Sequence, residues 1–180
     1  MRELIDAPEA GAGTMLAAAP AEGRVLLLGI GNVLMGDEGV GVHALRRLER
    51  EPLPAGIRLL DGGTGGVNLL AEFGGLTAIV LIDATRDGTP AGTVQYHYRR
   101  HGGFGRLPPE LGAHDFGLKD LFVAAALLGI LPEVHLYTVA VETIRPMCTE
   151  LSAAVAGALP WVVTSARRQA ARLAGMEVPG

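Results

Sequence analysis

Thiol chemistry is nearly absent from this chain, which holds one cysteine, Cys148. One thiol can neither close an internal disulfide nor build a structural zinc centre, and this points to a reducing compartment, the cytoplasm. Aromatic residues make up only 4% of the chain while glycine is abundant, which argues against an all-β sandwich and against a disordered chain. A basic excess is missing too. Lys and Arg number 15 against 19 Asp and Glu, a net charge of −4, so no broad positive face is available for a phosphate backbone and nucleic acid is not an expected partner. No apolar run approaches the ~20 residues of a membrane-spanning helix, so no membrane partner is expected. The first residues (MRELIDAPEAGAGTMLAAAP) lack the basic start and long apolar core of a secretory signal, and residues 1–22 read as a flexible tail ahead of one domain at 23–175.

What is present is an apolar fraction of 49% over 180 residues, enough for a self-sufficient core. Arg24-Val-Leu-Leu-Leu-Gly29 is a strand-length apolar run, as expected of a strand covered on both faces. Val40, Ala44, Leu45 and Leu48 then recur at helical spacing until Pro52 and Pro54 end the pattern. Ile57 to Leu60 reads as a strand running into Asp61-Gly-Gly-Thr-Gly-Gly66, and a helix through Leu69, Leu70 and Phe73 follows. Ala78 to Ile82 is a strand stopped by Asp83, and Thr93 to Tyr98 alternates like an edge strand. Residues 99–113 form a Gly/Pro-rich loop whose Arg99, Arg100, His101 and Arg106 could steer an acidic peptide or simply be solvated. A helix from Leu118 to Leu128, a strand from Val134 to Val141 and a long helix from about Thr149 to Leu173 complete the chain. Strands alternating with helices predict an α/β fold, a mostly parallel twisted sheet with helices on both faces.

In such a sheet, sites form beyond the carboxyl ends of the strands. The residues expected there are Asp37 and Glu38 after the first strand, Asp61 ending the second, Asp83 ending the third, and His114 at the close of the long loop. Crowded carboxylates resist ionising together unless a cation or a shared proton relieves them. Two carboxylates and an imidazole make a mixed oxygen and nitrogen set suited to Ni²⁺, Zn²⁺ or a similar ion, with positions left open. Each residue also has a plainer reading. Asp37 fits a helix N-cap, Glu38 suits the positive end of a helix, and Asp61 can hydrogen-bond its own turn. His43, His97, His101 and His135 read as structural or solvated, and Cys148, near a predicted helix start, as a buried inert thiol rather than a nucleophile paired with His114.

Gly29-Ile30-Gly31, with Asp61 ending the next strand, imitates a dinucleotide site. The imitation stops at Leu34, where the third glycine belongs, and at Asp37 and Glu38, two anions where a diphosphate needs neutral donors. A dinucleotide-binding enzyme is therefore disfavoured.

Gly29-Ile-Gly-Asn-Val-Leu-Met-Gly-Asp-Glu-Gly-Val-Gly41 resembles the opening signature of the hydrogenase maturation proteases. Asp61-Gly-Gly-Thr-Gly-Gly66, Ile82-Asp-Ala84, His114-Asp-Phe-Gly-Leu118 and Glu142-Thr-Ile-Arg-Pro146 follow in the order that family shows, so the resemblance spans residues 25 to about 160. It implies a single-domain three-layer sandwich with a five-stranded sheet. It also implies an endopeptidase that removes the C-terminal peptide of a [NiFe]-hydrogenase large-subunit precursor after nickel insertion. Glu38, Asp83 and His114 match the family's metal-contacting residues. Nickel is expected to arrive on the substrate, and other divalent ions to fit the site in vitro. Asp61 resembles the family's glycine-flanked aspartate and is the candidate catalytic residue, with Gly62, Gly63 and Thr64 beside it as candidate substrate-binding residues. The family is grouped with aspartic-type endopeptidases, although this chain has no pepsin-like Asp-Thr-Gly pair. Gly112 stands where the family often has Ser or Thr, which alters the hydrogen bonding expected around His114. A monomer is the default expectation. The rival reading is a non-catalytic nickel-checkpoint or chaperone protein using the same fold and ligands.

Overall fold

The computed structural model describes residues 24–99 and 118–176. The chain runs β1 (Val25–Ile30), α1 (Val40–Leu48), β2 (Ile57–Gly63), β3 (Ala78–Thr85), β4 (Val94–Arg99), α2 (Leu118–Leu127), β5 (Glu133–Ala140) and α3 (Ala153–Leu173). Two 3-10 turns intervene, Asp37–Gly39 before α1 and Gly66–Phe73 after β2. The second replaces the regular helix expected there. The Gly/Pro-rich loop with His101, Arg106 and Gly112, the residue His114 and the tail at 1–22 lie outside the described residues.

The five strands are ordered β2-β1-β3-β5-β4. All neighbours are parallel except β4, which runs antiparallel to β5 at the edge, where its alternating pattern had placed it. Every residue of β1 and β3 is buried, as continuous apolar runs require of strands covered on both faces. Alternation then divides the core in two. Leu27, Val80, Ile82 and Val139 pack against Ala44 and Leu48 of α1 and Val155, Leu159 and Val162 of α3. On the opposite face Leu28, Ile79, Leu81 and Leu136 meet Phe73 of the 3-10 turn and Leu121 and Phe122 of α2. The result is the three-layer α/β sandwich expected.

Neighbouring β2 and β3 lie on opposite sides of β1, so the strand order reverses there and opens a crevice above the carboxyl ends of β1 and β3. Helix α1 enters this crevice at very short range. A Cβ placed on Gly41 would stand 2.3 Å from the carbonyl oxygens of both Ile30 and Ile82, so no larger residue fits between the helix and these two strands.

Candidate functional site

The loop that follows β1 is built from local bonds. Asn32 accepts the Leu34 N–H through its side-chain oxygen at 3.0 Å, and its carbonyl accepts the Met35 N–H at 3.0 Å. Gly31 has φ +135°, and a Cβ there would lie 2.0 Å from the Glu38 carbonyl oxygen. The chain thus folds back on itself so tightly that the backbone of Glu38, in the 3-10 turn before α1, packs against Gly31 at the end of β1.

A second segment, residues 144–152, holds that loop from outside. Met35 and Cys148 form a parallel bridge, and Gly36 and Ile144 an antiparallel one. Gly36 donates to the Cys148 carbonyl at 2.7 Å, and the Cys148 N–H to the Leu34 carbonyl at 3.1 Å. Asp37 does not cap its own helix; the residue before that turn is Gly36, with no side-chain cap. Its Oδ1 instead accepts the Ser152 N–H at 2.5 Å. Ser152 is the N-cap of α3, its hydroxyl oxygen accepting the Val155 N–H at 3.4 Å. Helix α3 therefore starts at Ala153 rather than near Thr149, and Cys148 sits half-buried in the clamp instead of at a helix start, its thiol 3.6 Å from the Glu150 carbonyl. Met147, next to it, has φ +59° and is 88% exposed.

Three carboxylates are buried on this rim, Asp37, Glu38 and Asp83, at 4%, 2% and 3% exposure. Asp83 lies inside β3, two residues before its end, not beyond it. Alternation gives it the face of Ile79 and Leu81, towards α2. Burial pushes the Asp83 carboxyl up to about 7, the Ala84 N–H bonded to its Oδ1 at 2.8 Å opposes that shift, and the charge of Glu38 adds to it. The two acids named from sequence are therefore near enough for the charge of Glu38 to act on Asp83. Thr138, in register with Asp83 on β5, is buried and lies 3.2 Å from Nε2 of His97 on β4. A polar row, Asp83, Thr138 and His97, thus crosses three strands on one face.

Asp61 stands apart from this pair. It is exposed, lies within β2 opposite Gly29, and its Oδ1 accepts the Gly63 N–H at 2.9 Å, the turn bond anticipated for it. Two strand spacings separate it from Ile82, roughly 10 Å. It also shares the face of Ile57 and Leu59, whereas Asp83 takes the other. Gly62 is buried against Ile30 and Leu28, while Thr64 is exposed. Among the described residues no three His, Cys, Asp or Glu side chains form a metal-binding group, and the third expected ligand, His114, is not one of those residues.

Three other histidines, His43, His97 and His135, fall among the described residues. His43 on α1 has a buried Nε2 with no hydrogen-bond partner among the described residues, and burial, then Arg46, holds its pKa down. Burial likewise lowers His97 and His135. The sequence reading missed the Asp37–Ser152 tie and the 144–152 clamp. The one signal for them was the run Glu142-Thr-Ile-Arg-Pro146, which marks the segment without saying what it touches.

A family model described as hydrogenase maturation protease matches residues 42–169. The hydrogenase expression/formation protein HupD of Rhodobacter capsulatus is 36% identical over 162 residues, 86% of this chain and 74% of that protein. HupD of Thiocapsa roseopersicina is 34% identical over 128 residues, and there the match spans 55% of the relative's length. Among solved structures, the hydrogenase maturating endopeptidase HybD from E. coli aligns with a TM-score of 0.72 at 28% identity, covering 84% of this chain and 94% of that one. The [NiFe] hydrogenase maturation protease HybD from Thermococcus kodakarensis aligns with a TM-score of 0.67 at 31% identity, covering 82% and 99%.

Proposed function

Since this chain belongs to the hydrogenase maturation protease family, we propose that it is an endopeptidase removing the C-terminal peptide of a [NiFe]-hydrogenase large-subunit precursor once nickel is in place. The observation that carries the reading is the buried pair Glu38 and Asp83 at the mouth of the β1/β3 crevice. Burial first, and then the charge of Glu38, raises the Asp83 pKa, and a divalent cation beside these carboxylates would favour the ionised form. Their oxygen donors, with the imidazole of His114 as the third group, suit a borderline ion such as nickel. Nickel enters as part of the substrate, held by the precursor, and other divalent ions would fit the same donors in vitro.

In this reading Glu38 and Asp83 test whether the precursor is loaded. The 144–152 clamp keeps Glu38 fixed, and Asp83 gives up its proton when a cation arrives. A three-residue set has low affinity for the free ion, so recognition requires donors from both proteins. Asp61 is assigned the general acid/base role at the scissile bond, its carboxylate oriented by the Gly63 N–H. The backbone of Gly62 and Gly63, with Thr64, supplies groups that can hold the peptide alongside β2. The chain acts as a monomer in the cytoplasm, and no described helix is long and apolar enough to cross a membrane.

The test is the mass of purified precursor after incubation with the protein. Loss of a C-terminal peptide from nickel-loaded precursor only, abolished in Glu38→Gln and Asp83→Asn, is the expected result. Cleavage of nickel-free precursor at the same rate would remove nickel gating. Binding of loaded precursor without cleavage would favour a checkpoint protein over a protease. Asp61→Asn is expected to bind loaded precursor and fail to cut it, and full activity in that variant would end its catalytic assignment.

A further inference from the structure

The chain contains three tyrosines and one tryptophan, and all four meet at the outer edge of the sheet. Tyr96 and Tyr98 lie on β4, in register with Tyr137 and His135 of β5, and Trp161 lies on α3. Ring centroids are 5.1 Å apart for Tyr96 and Tyr137, 5.0 Å for Tyr98 and His135, and 6.3 Å for Tyr137 and Trp161. His135, 3% exposed, anchors the group. Its Nδ1 is 2.7 Å from the Tyr96 hydroxyl and 3.2 Å from the Gln169 amide, and its Nε2 is 3.0 Å from Glu133. The Tyr137 hydroxyl donates to the Ser165 carbonyl at 3.4 Å. The rings are thus set in place before any partner arrives, which lowers the ordering cost of binding.

Despite that anchoring, Tyr96, Tyr98 and Trp161 are 47%, 50% and 56% exposed. Strand β4 pairs with β5 alone among the described residues, so its outer row of N–H and C=O groups has no ladder partner there. Edge strands are usually blunted by charged side chains, proline or a bulge; β4 has one charged residue, Arg99 at its end, and no lysine, proline or bulge. Beside it, Trp161, Ser165, Arg168 and Arg172 follow one another on α3 at spacings that form a single stripe. Arg168 and Arg172 are exposed, and neither makes an ion pair among the described residues. Arg172 is near enough for its charge to act on the Tyr96 phenol. Tryptophan, tyrosine and arginine are the residues that dominate interface hot spots.

We propose that β4 and this stripe of α3 form a docking surface for an extended, acidic segment of a partner protein. The segment adds as a further strand outside β4, and of the side chains it turns towards α3, those beside Tyr96, Tyr98 and Trp161 are apolar and those beside Arg168 and Arg172 are carboxylates. Tyr96 aligns through Tyr137 with Ile82, so this surface is on the face opposite Asp83. A partner can therefore be held here while the crevice stays open.

Trp161 is the chain's single tryptophan and reports on its own surface. The full-length protein is titrated with a capped Glu-Thr-Val-Thr-Val-Thr-Glu peptide, whose Glu and Val side chains share one face of a strand, and separately with the peptide in which lysine replaces each Glu, while tryptophan emission is followed. A saturable blue shift with the acidic peptide is expected, with affinity at least about tenfold weaker for the lysine peptide. In the Arg168→Glu, Arg172→Glu double variant, which changes only exposed side chains, the preference should reverse. No shift, or equal shifts with both peptides, would overturn the proposal. A shift that follows protein concentration without peptide would assign the face to a second copy, and a response seen only after removal of residues 1–22 would assign it to this chain's own N-terminal segment; either defeats the partner proposal.

Discussion

Asp83 and Asp37 are both buried acids on one rim, and they differ in what surrounds them. Asp37 accepts a backbone N–H at 2.5 Å, whereas Asp83 has its own Ala84 N–H and the charge of Glu38 nearby. With its pKa raised from 3.8 to about 7, folded Asp83 holds a proton that the unfolded chain releases. The folded state therefore binds more protons between those values, and stability falls as pH rises through that window. The penalty is absent below 3.8 and complete above about 7. The Asp83→Asn variant, stripped of metal with chelator, is expected to be more stable than the parent at pH 8, by up to about 4 kcal/mol, and to show no gain near pH 4. Urea midpoints at the two pH values decide this, and coincident curves at pH 8 would show that Asp83 ionises in the fold without cost. Asp37→Ala should lose about 1–3 kcal/mol by orphaning the Ser152 N–H, with Asp37→Asn recovering most of it.

At the level of elements, the contact of α1 with β1 and β3 decides where Glu38 stands. Gly41→Ala forces a methyl group onto the carbonyls of Ile30 and Ile82 and should cost about 1–3 kcal/mol as α1 backs away. The same retreat carries Glu38 from Asp83, so the variant should also lose cleavage of loaded precursor at temperatures where it remains folded, as a precursor mass assay would reveal. Much of this architecture was legible in sequence. The runs at Val25 and Ala78 are apolar throughout because those strands are covered twice, and the alternation of β4 betrays an edge. Asp83 stood out as a candidate because a carboxylate beside such an apolar run is costly to bury, whereas Glu38 was singled out by the family resemblance. The role of Asp37 was not, since its partner lies 115 residues away and no local pattern encodes it. Asp61 and Asp83 looked terminal because polar residues imitate a strand's end, yet ladder bonds carry β2 to Gly63 and β3 to Thr85.

For the whole molecule, stability is arranged from the middle of the sheet outward. Strands β1, β3 and β5 have ladder partners on both sides, while β2 and β4 have one each among the described residues. Native-state hydrogen exchange should therefore find the slowest amides in β1 and β3, with β4 opening at lower free energy. Slowest exchange in β4 would mean that its edge is covered. Residues 34–37 and 144–152 should exchange as one unit, since each supplies the other's hydrogen-bond partners. That mutual dependence also sets a clock during synthesis. At about 5–20 residues per second, a ribosome needs roughly 6–23 s to travel from Asp37 to Ser152. In the later part of that interval Glu38 and Asp83 have both been made, while the 144–152 segment that holds the loop before Glu38 has not. A nascent chain therefore carries an unfinished crevice, and it becomes competent only when its last helix emerges.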